Sequence, residues 1–152
     1  MKAGDTVPDF ELPDQEGTPR RLSTLLQGGP VVLFFYPAAM TTGCTKESCH
    51  FRDMKAEYEH AGAQRVGIST DPVDKQKLFS DTHSFDYPLL SDESGEVAKT
   101  FGVKRSGLLA KAAPVKRKTF VIGRDAKVVE VISSELKFDQ HADEALRALA
   151  KA

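Results

Sequence analysis

The longest unbroken apolar run in the chain is "VVLFFY", Val31 to Tyr36. Gly28, Gly29 and Pro30 precede it and Pro37 follows it. A short run of strand formers between breakers predicts a strand buried on both faces. Past it the period changes. Phe51, Met54, Tyr58 and Ala61 recur on one helical face with charges between them, so the segment from Cys44 to Ala61 is expected to be a helix, with Gly62 as its stop. "QRVGIST" predicts a second buried strand. A helix is expected next, with Asp71 as cap, Pro72 at its first position and Leu78 as an apolar position. Strand, helix and strand of this size make a right-handed unit with parallel strands.

The flanking segments follow other patterns. "PDFELPDQEGTPRRL" alternates around a "DQEG" turn and predicts a short leading hairpin. "SFDYPLLSDESGEVAKTFGV" holds a short strand and a short helix, and the irregular "KRSGLLAKAAPVKR" follows. "TFVIG" and "VVEVI", joined by "RDAK", predict an antiparallel hairpin. Phe138 to Ala150 predicts a closing amphipathic helix with Ala142, Ala145, Leu146 and Leu149 inward. The order βαβα, insertion, ββα is that of an α/β thioredoxin-like fold. It carries an N-terminal hairpin extension and an insertion before the last β-hairpin, with a mixed sheet and helices on both faces. Residues 1–152 are expected to form a single domain.

Composition narrows the function more than the fold. Charged residues make up 28% and the formal net charge is −1, so no basic surface for nucleic acid is expected. No stretch is apolar for long enough to span a bilayer, and "MKAGDTVPDF" lacks the apolar core of a signal peptide. A cytoplasmic location is expected. Two cysteines there stay reduced between reactions, which argues against a permanent structural disulfide.

Both cysteines, Cys44 and Cys49, lie in "YPAAMTTGCTKESC". Cys44 follows a buried strand and a tight loop and is expected to open a helix, where unpaired amides and the helix dipole favour a thiolate. A free thiol with a pKa of about 8.5 is only about 3% ionised at pH 7. Making it mostly thiolate takes about 2.7 kcal/mol, and a helix end supplies about 0.3–1 kcal/mol. A cation or hydrogen bonds must supply the rest, and Arg117, at the entrance to "TFVIG", is a candidate. The residues alone leave two readings of Cys44 open, an activated nucleophile or a small buried hydrophobe. Cys49 is equally open. Helix positions five apart have Cα atoms about 8–9 Å apart, beyond the reach of a disulfide, so Cys49 bonds Cys44 only if the first turn unwinds. Thr42, Thr45 and Ser48 are weak helix formers, so unwinding is expected to be inexpensive.

This stretch resembles the active-site signature of peroxiredoxins: proline, three residues, threonine, two residues, cysteine. Pro37, Thr41 and Cys44 match it. The chain is similar to the Q-type subfamily, the bacterioferritin comigratory protein group, in which a second cysteine often lies where Cys49 stands. "FELPDQEG", "CHFRD", "VGISTDP", "YPLLSDESGEVAKTFGV" and "FVIGRDAKV" resemble family segments in the same order, so the likeness covers nearly the whole chain. It implies a thiol-dependent peroxidase for hydrogen peroxide and organic hydroperoxides, regenerated by thioredoxin or a similar dithiol. Cys44 would be the nucleophile and Cys49 the resolving cysteine. Thr41 and the Gly43 and Cys44 amides would hold the peroxide, and Pro37 would shield the thiolate. Arg117 would stabilise thiolate and transition state, and Glu47 would orient Arg117. A monomer is implied, with no metal or organic cofactor and no membrane or nucleic-acid partner. Thr42 stands where relatives commonly have proline and cannot fix φ as proline does.

Two other classes remain. A disulfide oxidoreductase would want the closer C-x-x-C spacing. A metal-delivery protein would want the two cysteines with a distant histidine. His50, His60, His83 and His141 are scattered, and no pair has ligand spacing. Asp92 and Asp125 are read as caps or turns.

Overall fold

The computed structural model describes residues 1–152. Strands β1 (Glu11–Pro13) and β2 (Pro19–Arg21) form the leading antiparallel hairpin. Helix α1 (Leu22–Gln27) follows; no apolar period announces it, and the Asp9 carboxylate closes its start by accepting from the Ser23 amide at 2.9 Å. Next come β3 (Val31–Phe35), α2 (Thr42–Asp53), α3 (Lys55–His60), β4 (Gln64–Ser69), α4 (Val73–His83), β5 (Leu89–Ser91), α5 (Glu96–Thr100) and the single turn α6 (Leu109–Ala112). The hairpin β6 (Lys118–Ile122) and β7 (Val128–Ser133) leads to α7 (Gln140–Ala148) and a closing 3₁₀ turn.

The five-stranded sheet has the order β5-β4-β3-β6-β7. β3, β4 and β5 run parallel, and β6 and β7 are antiparallel additions. This is the mixed, doubly covered sheet the pattern predicts, and the fold is thioredoxin-like. β3 is buried at every position because its alternate side chains serve two cores. Val32, Phe34 and Tyr36 pack with Cys44, Phe51, Tyr58, Phe79 and the α7 alanines. Val31, Leu33 and Phe35 pack on the opposite face with Leu22, Leu26, Phe101 and Val115.

Some local expectations are corrected. The helix expected over 44–61 starts at Thr42 and breaks at Met54. The break frees carbonyls for a buried cation: Arg65, reaching from β4, donates to Phe51 O at 2.9 Å and Arg52 O at 3.4 Å while pairing with Asp86 at 2.6 Å. Ala61 is exposed, and Gly62, at φ 71°, ends α3 with the expected left-handed turn. Asp71 does not cap α4. Pro72 is the N-cap, and the Asp71 carboxylate turns away to the loop after β3. Leu78 faces solvent, whereas Gln76, Phe79 and Ser80 are buried. α7 begins at Gln140, which leaves Phe138 outside it, and Leu146 is only partly buried. Asp92 does cap: its carboxylate oxygens accept from the Val97 and Ala98 amides at 3.2 and 2.9 Å.

Candidate active site

The register of the sheet brings the candidate residues together. Phe35 pairs with Lys118 across β3 and β6, so Arg117 stands beside Tyr36 where β3 ends and the loop to α2 begins. The loop is pinned from the next strand. Asp71 Oδ2 accepts from the Ala39 amide and the Ser69 hydroxyl, each at 2.7 Å, and Lys75 pairs with its other oxygen at 3.3 Å. Between the pinned Ala39 and α2, Met40 takes φ 68°, a left-handed conformation that strains a residue with a side chain.

Thr41 is the N-cap of α2 through its backbone. Its carbonyl accepts from the Thr45 amide at 2.9 Å, the first full helical bond. The Thr42, Gly43 and Cys44 amides precede that bond and have no carbonyl within the helix. The Thr41 hydroxyl is exposed and donates to Ala38 O at 2.8 Å, so its lone pairs remain free to accept. Pro37 is half-buried at the loop's start.

Cys44 lies in the first turn of α2, and its thiol is buried in the core. Arg117 Nη2 donates to Cys44 Sγ at 3.3 Å, and Arg117 Nη1 donates to Glu47 Oε1 at 3.0 Å. Cys44, Glu47 and Arg117 are 1%, 0% and 5% exposed, so this contact is closed to bulk water. Cys44 and Glu47 are three apart on a helix and present the same side to one guanidinium. Burial pushes the Glu47 carboxyl up to about 8, against the pull of Arg117. Burial also works against charge on Arg117, but the Glu47 and Cys44 charges outweigh it and hold its pKa above the ordinary value. The guanidinium is therefore the fixed charge, and the carboxyl is the member of the pair that titrates.

Four neighbouring side chains carry no motif. The half-buried Phe138 ring lies 4.9 Å from the Arg117 guanidinium carbon, a cation–π contact. Glu135 Oε1 accepts from the Arg117 amide at 3.2 Å and from Arg105 Nη2 at 2.8 Å, which commits Arg105 to holding the approach to β6. His141 is buried with its Nε2 3.6 Å from Glu47 Oε2. His50 Nε2 lies 2.8 Å from Asp143 Oδ1, across α2 and α7.

Phe138 also explains Gly43. A Cβ at position 43 would come to 2.8 Å from Phe138 Cε1 and Cζ and 3.3 Å from Arg117 Nη2. In Gly43→Ala the helix gains about 0.5–1 kcal/mol of propensity, while the ring must leave its place over the guanidinium. The expected result is a melting temperature within a few degrees of the parent and a roughly tenfold slower reaction of the Cys44 thiol with the peroxide substrate that the sequence resemblance implies. Stopped-flow measurement beside thermal denaturation checks it. An unchanged rate means the Phe138 contact is irrelevant to the chemistry.

Cys44 and Cys49 are both free thiols. Cys49 is half-buried, and burial raises its pKa while Arg52 partly opposes the shift. α2 runs unbroken through both positions, so the sulfurs cannot bond in this conformation. The turn between them is less loosely held than its composition suggests. Glu47 and Ser48 are fully buried, and the Tyr87 hydroxyl donates to Ser48 O at 2.7 Å.

The largest cavity, of about 540 Å³, lies at the other end of β3, near Pro30, Gly62 and Arg124. A smaller cleft beside the site, about 290 Å³, is lined by Lys46, His50, Leu136, Phe138 and Asp139. No helix is long and apolar enough to cross a membrane.

Known proteins share this fold and much of the sequence. The sequence profile of the AhpC/TSA family matches residues 3–131. The crystal structure of peroxidoxin BcpB from Mycobacterium tuberculosis superposes with a TM-score of 0.94 at 68% identity, covering 99% of this chain and 97% of that one. Chloroplastic peroxiredoxin Q of Sedum lineare is 41% identical over 96% of this chain and 76% of its own length. Peroxiredoxin Bcp of Escherichia coli K12 is 39% identical over 98% of this chain and 96% of its own.

Proposed function

Because the chain belongs to the AhpC/TSA family and is a Q-type peroxiredoxin, a thiol-dependent peroxidase, we propose that Cys44 is the thiol that attacks the peroxide. The observation that carries this assignment is one buried guanidinium bonded to both the Cys44 sulfur and the Glu47 carboxyl.

The Cys44 thiolate attacks one peroxide oxygen. An S–O bond forms, the O–O bond breaks, and its electron pair leaves on the second oxygen, which takes a proton to become water or an alcohol. Sulfur is oxidised by two electrons to a sulfenic acid, and the peroxide is reduced by two. Charge grows on the departing oxygen. Arg117 Nη2, 3.3 Å from the sulfur, and the Gly43 and Cys44 amides, which have no carbonyl partner within the helix, are donors fixed before the reaction begins. Thr41, whose proton is committed to Ala38 O, accepts from the peroxide O–H. Glu47 holds the guanidinium by its other arm, and Pro37 and Phe138 keep water from the thiolate.

Cys49 then attacks the sulfenic sulfur, the hydroxyl leaves as water, and a Cys44–Cys49 disulfide forms. A dithiol donor of the thioredoxin type returns both thiols, in a cytoplasmic pool that keeps thiols reduced. The enzyme works as a monomer. The test is intact mass after one equivalent of peroxide. An internal disulfide supports the cycle. A persistent sulfenic or sulfinic acid with a free Cys49 makes the enzyme a one-cysteine peroxidase that needs an external thiol.

Resolution requires the first turns of α2 to unwind, drawing Glu47 out of its pocket. Ser48 offers a way to slow this step alone, because its buried hydroxyl has no hydrogen-bond partner. In Ser48→Ala helix propensity improves by about 0.5 kcal/mol, and the orphan polar group that unwinding would release to water disappears, a further gain for the helix. Disulfide formation should slow roughly two- to fivefold while peroxide attack keeps its rate. Amides 42–50 should exchange faster in the oxidised protein than in the reduced one. An unaltered resolution rate in Ser48→Ala would show that unwinding does not limit that step.

A further inference from the structure

One fully buried titratable side chain has no part in the mechanism above. His141 lies in the first turn of α7 with both ring nitrogens engaged. Nε2 is 2.7 Å from Ser134 O, and a carbonyl only accepts, so Nε2 carries a proton. Nδ1 is 2.8 Å from Thr119 Oγ1, where a neutral ring accepts from the hydroxyl. Burial lowers the His141 pKa, in keeping with a neutral ring. The same Nε2 faces Glu47 Oε2 at 3.6 Å. That carboxyl oxygen is buried and has no hydrogen-bond partner, although its twin is held by Arg117. A buried carboxylate oxygen left unpaired is costly, so its nearby donor is significant.

We propose that His141 is a positioning residue for the peroxidase reaction. Its Nε2–H engages the free oxygen of Glu47, so that the carboxylate keeps Arg117 Nη1 and leaves Nη2 aimed at the sulfur and the departing oxygen. The proposal rests on the roles given above to Glu47 and Arg117. The separation is long for a hydrogen bond; a contraction of about 0.4 Å closes it, and contacts of this kind tighten when the reacting complex forms. The ring keeps its Ser134 bond by sharing one proton between two acceptors. A donor at Oε2 favours the ionised carboxyl. The charged groups facing Glu47 are Arg117 at the head of β6, which favours ionisation, and Glu135 between β7 and α7, which opposes it. Arg117, Glu135 and Glu144 face His141. Glu47 takes up its proton as pH falls through about 8, so the ion pair with Arg117 weakens on the acid side of that value.

The test is the second-order rate constant with hydrogen peroxide across the Glu47 transition, for the parent, His141→Phe, His141→Gln and Glu47→Gln. The parent should lose rate as pH drops through a limb that Glu47→Gln lacks. His141→Phe should be about tenfold slower at neutral pH, with that limb displaced upward by about one unit. His141→Gln, whose amide donates from near the Nε2 position, should recover most of the rate and return the limb. A purely structural histidine would move neither the limb nor its rescue. Parental rate and limb in His141→Phe overturn the proposal, as does His141→Gln no faster than His141→Phe. If Glu47→Gln itself keeps the parental rate and limb, the reading of Glu47 fails and this proposal with it. If Glu47→Gln slows while His141→Phe does not, only the role of His141 fails. Should the phenylalanine variant not fold, His141→Asn, whose shorter amide does not reach the Nε2 position, takes its place and is expected to be slow.

Discussion

Cys44→Ser should consume no peroxide above the uncatalysed rate. A serine hydroxyl has almost no alkoxide at neutral pH and lacks the polarisable sulfur that makes an O–O bond attackable. The neighbours do not rescue it, because Arg117 and the amides stabilise charge that develops only once a nucleophile attacks. Cys49→Ser separates the two thiols. It should reduce one equivalent of peroxide at the parental rate and gain one oxygen atom in mass, whereas the parent loses two hydrogens. Cys49 has no guanidinium beside it, and burial disfavours its thiolate, so it should not replace Cys44 in the first step. Peroxide consumption by Cys44→Ser at the parental rate would sink the assignment.

The parts of this site that are legible in the sequence depend on local order. "VVLFFY" between Pro30 and Pro37 announces the central strand, and a loop leading straight into a helix places Cys44 at a helix start. Arg117 is legible for a related reason: a hairpin strand laid antiparallel to β3 must begin where β3 ends. What is not legible comes from partners distant in sequence. Asp71 has the spacing of a helix cap, yet its carboxylate is taken by an amide 32 residues earlier. The apolar period through Met54 is intact, and only a guanidinium from β4 reveals why the helix breaks there. Phe138 continues the amphipathic pattern of the last helix, but its ring is drawn to Arg117. His141 looks like one of four scattered histidines until α7 folds back and sets it against Glu47. Composition also misleads about the first turn of α2. Its threonines and serine predict a weak turn, while the buried Glu47 and Ser48 anchor it. The unwinding that the proposed disulfide requires thus competes with an ion pair as well as with helix propensity.

Arg117→Ala should slow the reaction with hydrogen peroxide by about 10²- to 10³-fold, the loss expected when a preorganised donor to a developing oxyanion is removed, or about 2.7–4 kcal/mol. The protein should still fold. Breaking a buried pair usually costs 3–5 kcal/mol because a charge is stranded, but Glu47 already lies near its proton balance and can become neutral. Arg117→Lys should fall between the two, since an ammonium is a point charge and does not span the Cys44 sulfur and Glu47 Oε1 as the planar fork does. The decisive comparison is the double variant. If Glu47 acts only by holding Arg117, Glu47→Gln slows the parent but adds nothing on the Arg117→Ala background. Additive losses would give Glu47 a contact of its own with the reacting atoms. An unchanged rate in Arg117→Ala would shift the cationic role elsewhere. The nearby cations are poorly suited to it: Arg105 is paired with Glu135 at 2.8 Å, and Lys116 is exposed. The loss should therefore survive high salt, which screens an exposed lysine but not a guanidinium 5% exposed.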